Sequence, residues 1–483
     1  MKNEEMKNEE IIRLLPKKEW NDKTILVFFK SLFIPSLLHS FIISLYVITI
    51  PFNRGLVLPF VGEKLQLPEL VFLFLAVASA TYFFKLLTTL NKSRSRTGLK
   101  TNNSQLIAQG LLIYFLAVVA SAIFHPTRAA FLDIAGLIYL LTLYAIINVF
   151  FIFQESDKTR LKYIIPVLAT RFTALSLFIL SCIGLLGFLL LIFGIHTSLI
   201  AYYPNYPFFG NVYRVRAFTQ EPVMMASILS VFILIVLAGY NLEDFTKKEK
   251  QFLRLTLTMG FVALALTLTK SAVITFAAAF SIFSIRHTSL KKFTPFIWIF
   301  SIVALLFFTH FVIVKKENFD SNQSYHGLVD APSLSLSDYY LVETDYGSLK
   351  EAAFITGKRF WLTGIGSGNF VDYVPTLKKE GLYPTKFQDY DPISTYFGAF
   401  AELGIFGLCA LLFFYLQVYR TLRQLKTQNP NDVWIASLMP IFGFMACESF
   451  VTDTMNFRHY WWILACVAAY VRTTQTYKSN TPQ

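Results

Sequence analysis

The segment Tyr213-Arg-Val-Arg-Ala-Phe-Thr-Gln-Glu-Pro222 sets two arginines and a carboxylate at the start of an apolar run. A guanidinium is a planar fork that stays charged and grips the paired oxygens of a diphosphate or carboxylate. Arg214 and Arg216 are therefore candidate anion ligands, with headgroup anchoring as the other use of arginine at such a place. Glu221 is a candidate acid–base group, and Pro222 needs no function because proline suits the first turn of a helix. A second cation, Lys270, closes Leu266-Thr-Leu-Thr-Lys270 at a tight turn between two apolar runs, where it either meets an anion or snorkels to water.

Further on, Arg359 precedes Gly364-Ile-Gly366-Ser-Gly368-Asn369, whose glycines permit tight turns and close backbone approach. No strand and helix flank it as a dinucleotide fingerprint requires. Asp389-Tyr-Asp391-Pro-Ile-Ser394 then enters an apolar stretch containing Ala401-Glu402-Leu-Gly404. Glu402 is expected about two turns into that helix, paired with an arginine or bonded to a neighbouring helix. Asp453, Arg458 and His459 precede Tyr460-Trp-Trp, a run suited to a membrane interface. No Walker loop or His-rich metal box is present, so nucleotide hydrolysis is disfavoured, and neither a metal nor a cofactor is expected. Cys182, Cys409, Cys447 and Cys466 all lie in apolar runs, which argues against a disulfide framework or a zinc cluster.

The elements that must position these groups follow from composition. Of 483 residues, 55% are hydrophobic and only 15% charged. Apolar runs of roughly 18 to 25 residues match the thickness of hydrocarbon, and in lipid such runs satisfy their backbones as helices. The expected fold is an all-α integral membrane protein with about twelve spans, near Leu26–Ile50, Leu70–Leu90, Leu106–Phe124, Ala129–Phe153, Phe172–Phe193, Val223–Tyr240, Phe252–Thr269, Ala272–Ile285, Phe293–Val314, Ser394–Tyr415, Val433–Val451 and Tyr460–Val471. With the N-terminus inside, about 24 Lys and Arg fall in cytoplasmic segments and about 7 in short outer loops, as the positive-inside rule requires.

The net charge of +13 is spread over many loops, so nucleic acid is not an expected partner. The division is a cytoplasmic arm at 1–25, helices over 26–314, a large outer loop at 315–392 between helices 9 and 10, helices over 393–471 and a cytoplasmic tail at 472–483. That loop, at roughly 80 residues, is too long for a connector. Its Tyr, Asp and Gly content, with helical pieces at Ser348–Trp361 and Phe370–Glu380, predicts a small folded cap on the extracytoplasmic face.

These motifs in this order resemble the O-antigen ligase and polymerase family of bacterial cell-surface glycan assembly. The resemblance rests on Arg214 to Pro222, on Leu266-Thr-Leu-Thr-Lys270, on the large outer loop, on its Gly364 to Asn369 motif, and on Ala-Glu-Leu-Gly-x-x-Gly at Ala401 to Gly407. It implies a multi-pass protein of the bacterial cytoplasmic (inner) membrane. There it would transfer a glycan from an undecaprenyl-diphosphate carrier on the extracytoplasmic side without metal or nucleotide sugar. A flippase and a chain-length regulator are implied partners beside membrane lipid and the lipid-linked oligosaccharide.

Under the resemblance, Arg214, Arg216 and Lys270 bind the diphosphate, and Glu221, Asp389 or Asp391 accepts the acceptor's proton. Arg359, Asn369, Glu402 and Arg458 become candidate substrate ligands. The chain departs from the family pattern in carrying Ala217 in place of a glycine and Lys270 in place of an arginine. It also has Ile393 and Ser394 where ligases carry His-Asn, which favours a repeat-unit polymerase over a ligase. The reading from a different class is a transporter or lipid-linked sugar flippase, for which repeated halves are the expected mark; none is seen.

Overall fold

Nearly every apolar run of the sequence is helical in the computed structural model, which describes residues 35–52, 66–79, 103–153, 158–206, 210–240, 242, 244–285, 292–319, 327–430 and 432–480. The expected arm at 1–25, the start of the first span and the second span from 80 onward lie outside the described residues. The bundle comprises α1 (Pro35–Thr49), α2 (Leu67–Ser79), α3 (Asn103–Phe124), α4 (Arg128–Phe153), α5 (Lys158–Ile192), α6 (Pro222–Tyr240), α7 (Lys247–Leu266), α8 (Lys270–Ile285) and α9 (Thr294–His310). The segment between α9 and the next long helix carries α10 (Asp345–Arg359) and α11 (Phe370–Lys379), and after it come α12 (Thr395–Gln428), α13 (Val433–Glu448) and α14 (Arg458–Asn480).

Five described helices are long and apolar enough to cross a membrane: α3, α4, α5, α6 and α12. Shorter apolar helices include α2, α8, α9 and α13. Central and peripheral helices differ in what they expose. Almost all of α6 is buried, as is α14 from Tyr460 to Val471, whereas α9 presents Phe296, Ile299, Phe300 and Val303 outward. An apolar face of that size is an unfavourable surface in water and a natural one in lipid. On the other face, Thr246 and Glu249 close a capping box at the start of α7, and Arg171 pairs with Glu249 at 2.7 Å. That gives Arg171 a structural use.

Two small sheets correct the all-α expectation. Strands β1 (Ile200–Tyr206) and β2 (Gly210–Val215) form an antiparallel hairpin between α5 and α6. Strands β3 (Phe311–Lys315), β4 (Leu328–Ser335) and β5 (Tyr339–Thr344) form a second sheet in the order β3-β5-β4. Only Thr309 and His310 separate the Phe-Val-Ile-Val run of β3 from the apolar body of α9, and a short apolar run does not distinguish strand from helix by periodicity. The ninth helix consequently ends at His310 and not at Val314.

The segment between α9 and α12 is folded. Helices α10 (Asp345–Arg359) and α11 (Phe370–Lys379) pack Leu349, Ala352, Ala353, Phe370, Val374 and Leu377 together with Ala401 of α12, so the core of this cap is continuous with the bundle. Lys350 of α10 donates from Nζ to Thr309 Oγ1 at 2.7 Å, tying the cap to the end of α9.

Candidate functional site

The hairpin register places Arg214. Ala201 pairs with Arg214, Tyr202 with Tyr213 and Ile200 with Val215. Because side chains alternate along a strand, Arg214 shares a face with Tyr203 while Val215 points to the opposite one. Val215 is fully buried against Gly184 of α5, where an added Cβ would lie 2.9 Å from Val215 Cγ1. That glycine lets the hairpin sit down on the helix and sends Arg214 the other way.

Arg214 reaches the α7–α8 turn. Its Nε donates to the Thr267 carbonyl and its Nη2 to Thr269 Oγ1, both at 2.9 Å, and its guanidinium carbon lies 5.1 Å from the centre of the Tyr203 ring. The turn holds Leu268 at φ 49° and is followed at once by Lys270, which opens α8. Two motifs more than fifty residues apart in sequence thus meet through Arg214. Arg216 donates from Nε to the Ser198 carbonyl at 2.9 Å. The chain from Arg216 to Glu221 is set by the buried Thr219 hydroxyl, which lies 2.6 Å from the Arg216 carbonyl and 2.8 Å from that of Glu221.

Glu221, just before α6, is exposed to solvent beside the two arginines, and the space these three groups border is the candidate recess. Desolvation raises its carboxyl pKa, and the charges of Arg214 and Arg216 oppose that rise. Facing it is a residue that sequence reasoning missed. Asp345, the first residue of α10, has its carboxyl pushed up to about 6 by burial and by the charge of Glu221, with Lys386 opposing. The phenols of Tyr203, Tyr346 and Tyr390 sit in the field of both carboxyls, and burial raises each of them. The recess therefore joins bundle cations to a carboxyl pair contributed half by the bundle and half by the cap. Nothing in the local sequence Glu343-Thr-Asp345-Tyr marks this aspartate, which is brought in by the fold of the cap.

Other candidates lie elsewhere. Arg359 is exposed and ion-paired with Glu380. Asn369 is buried, accepting from Thr127 Oγ1 at 2.5 Å and donating to the Ile365 carbonyl at 3.0 Å. Of the two expectations for Glu402 the structure shows bonding to a neighbouring helix: its Oε1 accepts the N–H of Phe370, the first residue of α11, at 3.3 Å. Arg458 pairs with Glu69 of α2 at 2.6 Å beside the Tyr139 ring. Asp389 pairs with Lys378 at 2.6 Å. Asp391 is exposed, and the carboxyls whose fields it shares are Glu402 and Asp453. The structure thus assembles Arg214, Arg216, Glu221 and the Lys270 turn, while the bonds described for Arg359, Asn369, Glu402 and Arg458 are to other residues.

Among the described residues no group of three or more His, Cys, Asp or Glu is placed to hold a metal ion. No protein-family model matches the chain, and no curated protein matches its sequence.

Proposed function

We propose that this chain is a membrane glycosyltransferase that polymerises lipid-linked oligosaccharide repeat units on the extracytoplasmic face of a bacterial cytoplasmic membrane, with an undecaprenyl-diphosphate glycan as donor. On this reading α1 to α9 and α12 to α14 are twelve spans, both termini are cytoplasmic, and the cap lies outside. The observation that carries the proposal is the anchoring of Arg214 on the Thr267–Thr269 turn that Lys270 follows, with Arg214 and Arg216 both beside the Glu221 carboxylate.

Such a recess suits a diphosphate leaving group. The acceptor hydroxyl oxygen attacks the anomeric carbon of the donor glycan, and the bond from that carbon to the phosphate oxygen breaks. The electron pair goes to the lipid diphosphate, whose added charge the guanidinium groups stabilise, and the hydroxyl proton passes to a carboxylate of the recess. Lys270 adds a point charge at the start of α8, where the helix field is also positive.

Polymerase is preferred to ligase because the positions where ligases carry His-Asn are given to structure. Ser394 is fully buried, caps α12 by accepting from Phe397 N–H at 3.4 Å and donates to the Ser449 carbonyl at 3.0 Å.

The test is the surface-glycan ladder of a strain lacking the protein, complemented with wild type, Arg214→Ala or Arg216→Ala at equal membrane levels. Loss of an oxyanion-stabilising donor costs about 100-fold or more in rate, so both variants are expected to collapse the ladder to a single repeat unit. Full-length polymer from both would end the proposal, and attachment loss with normal chain length would move the activity to ligation.

A further inference from the structure

We infer that Glu448, Ser227 and His459 form a proton-binding site inside the bundle, in which Glu448 holds the proton and the Ser227 hydroxyl relays it to and from His459; the inference does not depend on the glycosyl-transfer reading above.

Three helices bring the site together. Ser227 lies in the second turn of α6, Glu448 is the last residue of α13, and His459 and Tyr460 stand in the first turn of α14. All four side chains are buried, Ser227 and Glu448 completely. Ser227 Oγ lies 2.8 Å from Glu448 Oε2 and 3.0 Å from His459 Nε2, and the Tyr460 hydroxyl donates to the same Oε2. Glu448 Oε1 is buried and meets no hydrogen-bond partner among the described residues. The side-chain bonds described for Glu448 are thus to two hydroxyls and to no cation. The other titratable groups around the cluster are Cys447 on the same helix, Tyr415 of α12, whose phenol lies in the field of Glu448, and Arg458, which is ion-paired with Glu69 of α2.

Counting hydrogens decides where the proton rests. As a carboxylate, Glu448 would accept from Ser227 and Tyr460 at Oε2 and leave a charged Oε1 buried and bare, a costly arrangement in a low-dielectric interior. As an acid, it donates from Oε2 to Ser227 Oγ, whose own hydroxyl then donates to the unprotonated Nε2 of His459. Every hydrogen along that chain finds an acceptor. One transfer converts the second arrangement into the first: the Oε2–H bond breaks as its proton bonds to Ser227 Oγ, and the Ser227 O–H bond breaks as its proton bonds to Nε2. Carboxylate and imidazolium are then left one hydroxyl apart. Histidine is the side chain suited to take and release a proton near neutral pH. His459 also lines a small cavity with Asn456, Phe457, Met224 and Ile228, and Asn456 is exposed, so the relay ends toward the loop before α14. An ionisable side chain left half-bonded inside a membrane marks a proton or ion site. Two hydroxyl donors aimed at one carboxyl oxygen, with a nitrogen behind them, suit a proton; a hard cation seeks oxygens that turn lone pairs toward it.

The test is infrared spectroscopy of the full-length protein in lipid vesicles. At neutral pH in choline chloride the carbonyl stretch of a protonated carboxyl is expected, moved by labelling with isotope-substituted glutamate and lost in Glu448→Gln. Ser227→Ala removes the acceptor of the Glu448 proton, so it should shift that band to higher frequency. Ser227→Ala and His459→Phe should each slow the band's response to deuterated water severalfold. A difference spectrum between wild type and Glu448→Gln that lacks a carboxyl band would overturn the site. Should Glu448→Gln fail to fold, the Ser227→Ala shift of the glutamate-derived band carries the same decision, and an unmoved band overturns it. Exchange as fast in both relay variants as in wild type would overturn the assignment of the relay. Disappearance of the wild-type band when sodium chloride replaces choline chloride would make this a sodium site and overturn the proton assignment.

Discussion

The backbone around the arginines is strained at two residues that are not glycine. Leu268 has φ 49° and Ala217 has φ 48°. Each conformation costs an L-residue about 1 to 2 kcal/mol, and strain of this kind persists where the surroundings over-determine it. One residue lies between the two Arg214 anchors, Thr267 and Thr269, and the other immediately follows Arg216, so both strained positions hold a guanidinium in place. The Ala217 strain also explains physically why glycine suits that position in the family the chain resembles. Leu268 is 55% exposed, so its side chain contributes little packing. Leu268→Gly is expected to raise thermal stability in detergent by about 1 kcal/mol while lowering polymer yield severalfold, because the turn that fixes Arg214 loosens. Unchanged yield at higher stability would show that the strain serves folding topology alone.

At the scale of elements, the glycine loop and the break in α12 are one joint. Helix α12 leaves helical geometry at Gly404, with φ 65° and ψ −160°. Into that break goes the loop after α10, with Ile365 N–H bonding the Ala401 carbonyl at 3.0 Å, Gly366 N–H the Glu402 carbonyl at 2.9 Å, and Ile405 N–H the Trp361 carbonyl at 2.7 Å. These bonds satisfy backbone groups freed by the break, which a membrane-embedded helix cannot leave unpaired. A Cβ on Gly364 would stand 2.2 Å from the Glu402 carbonyl carbon, whereas one on Gly381 meets nothing within 4 Å. Both glycines have positive φ, so Gly381→Ala should cost about 1 kcal/mol and Gly364→Ala well over 2 kcal/mol, read as protease resistance of the cap and thermal midpoint. Similar costs would mean that the joint flexes. Both motifs were legible in the sequence as separate signals, one as tight turns and the other as a carboxylate two turns into a helix. Their contact was not, because spacing along the chain carries no information on which distant backbone a glycine must admit. The same limit hid Asp345, while the cations before α6 and α8 were legible because they interrupt apolar runs.

At the scale of the whole molecule, the helices followed from hydrophobic run length, and charge predicts their sidedness. A bundle whose outward surface is Phe-, Leu- and Ile-rich requires lipid around it. Its orientation depends on Lys and Arg in short loops, since each cytoplasmic segment kept basic resists translocation. The cap and the arginine recess lie at one end of the bundle, and the end of α12 near Thr427 lies at the other end of a helix spanning 34 residues, about 50 Å at 1.5 Å per residue. Opposite sidedness of these two places is therefore a single claim about the fold and the membrane together. Ser337, at the exposed tip joining β4 to β5, and Thr427 are both open to solvent, and the native cysteines Cys182, Cys409, Cys447 and Cys466 sit in helices. In spheroplasts, a membrane-impermeant maleimide is expected to label Ser337→Cys directly and Thr427→Cys only after the membrane is permeabilised. The reverse pattern would put the recess in the cytoplasm, where the proposed carrier-linked donor would have to be met before it crosses, and the polymerase proposal would give way to one about loading or moving that carrier.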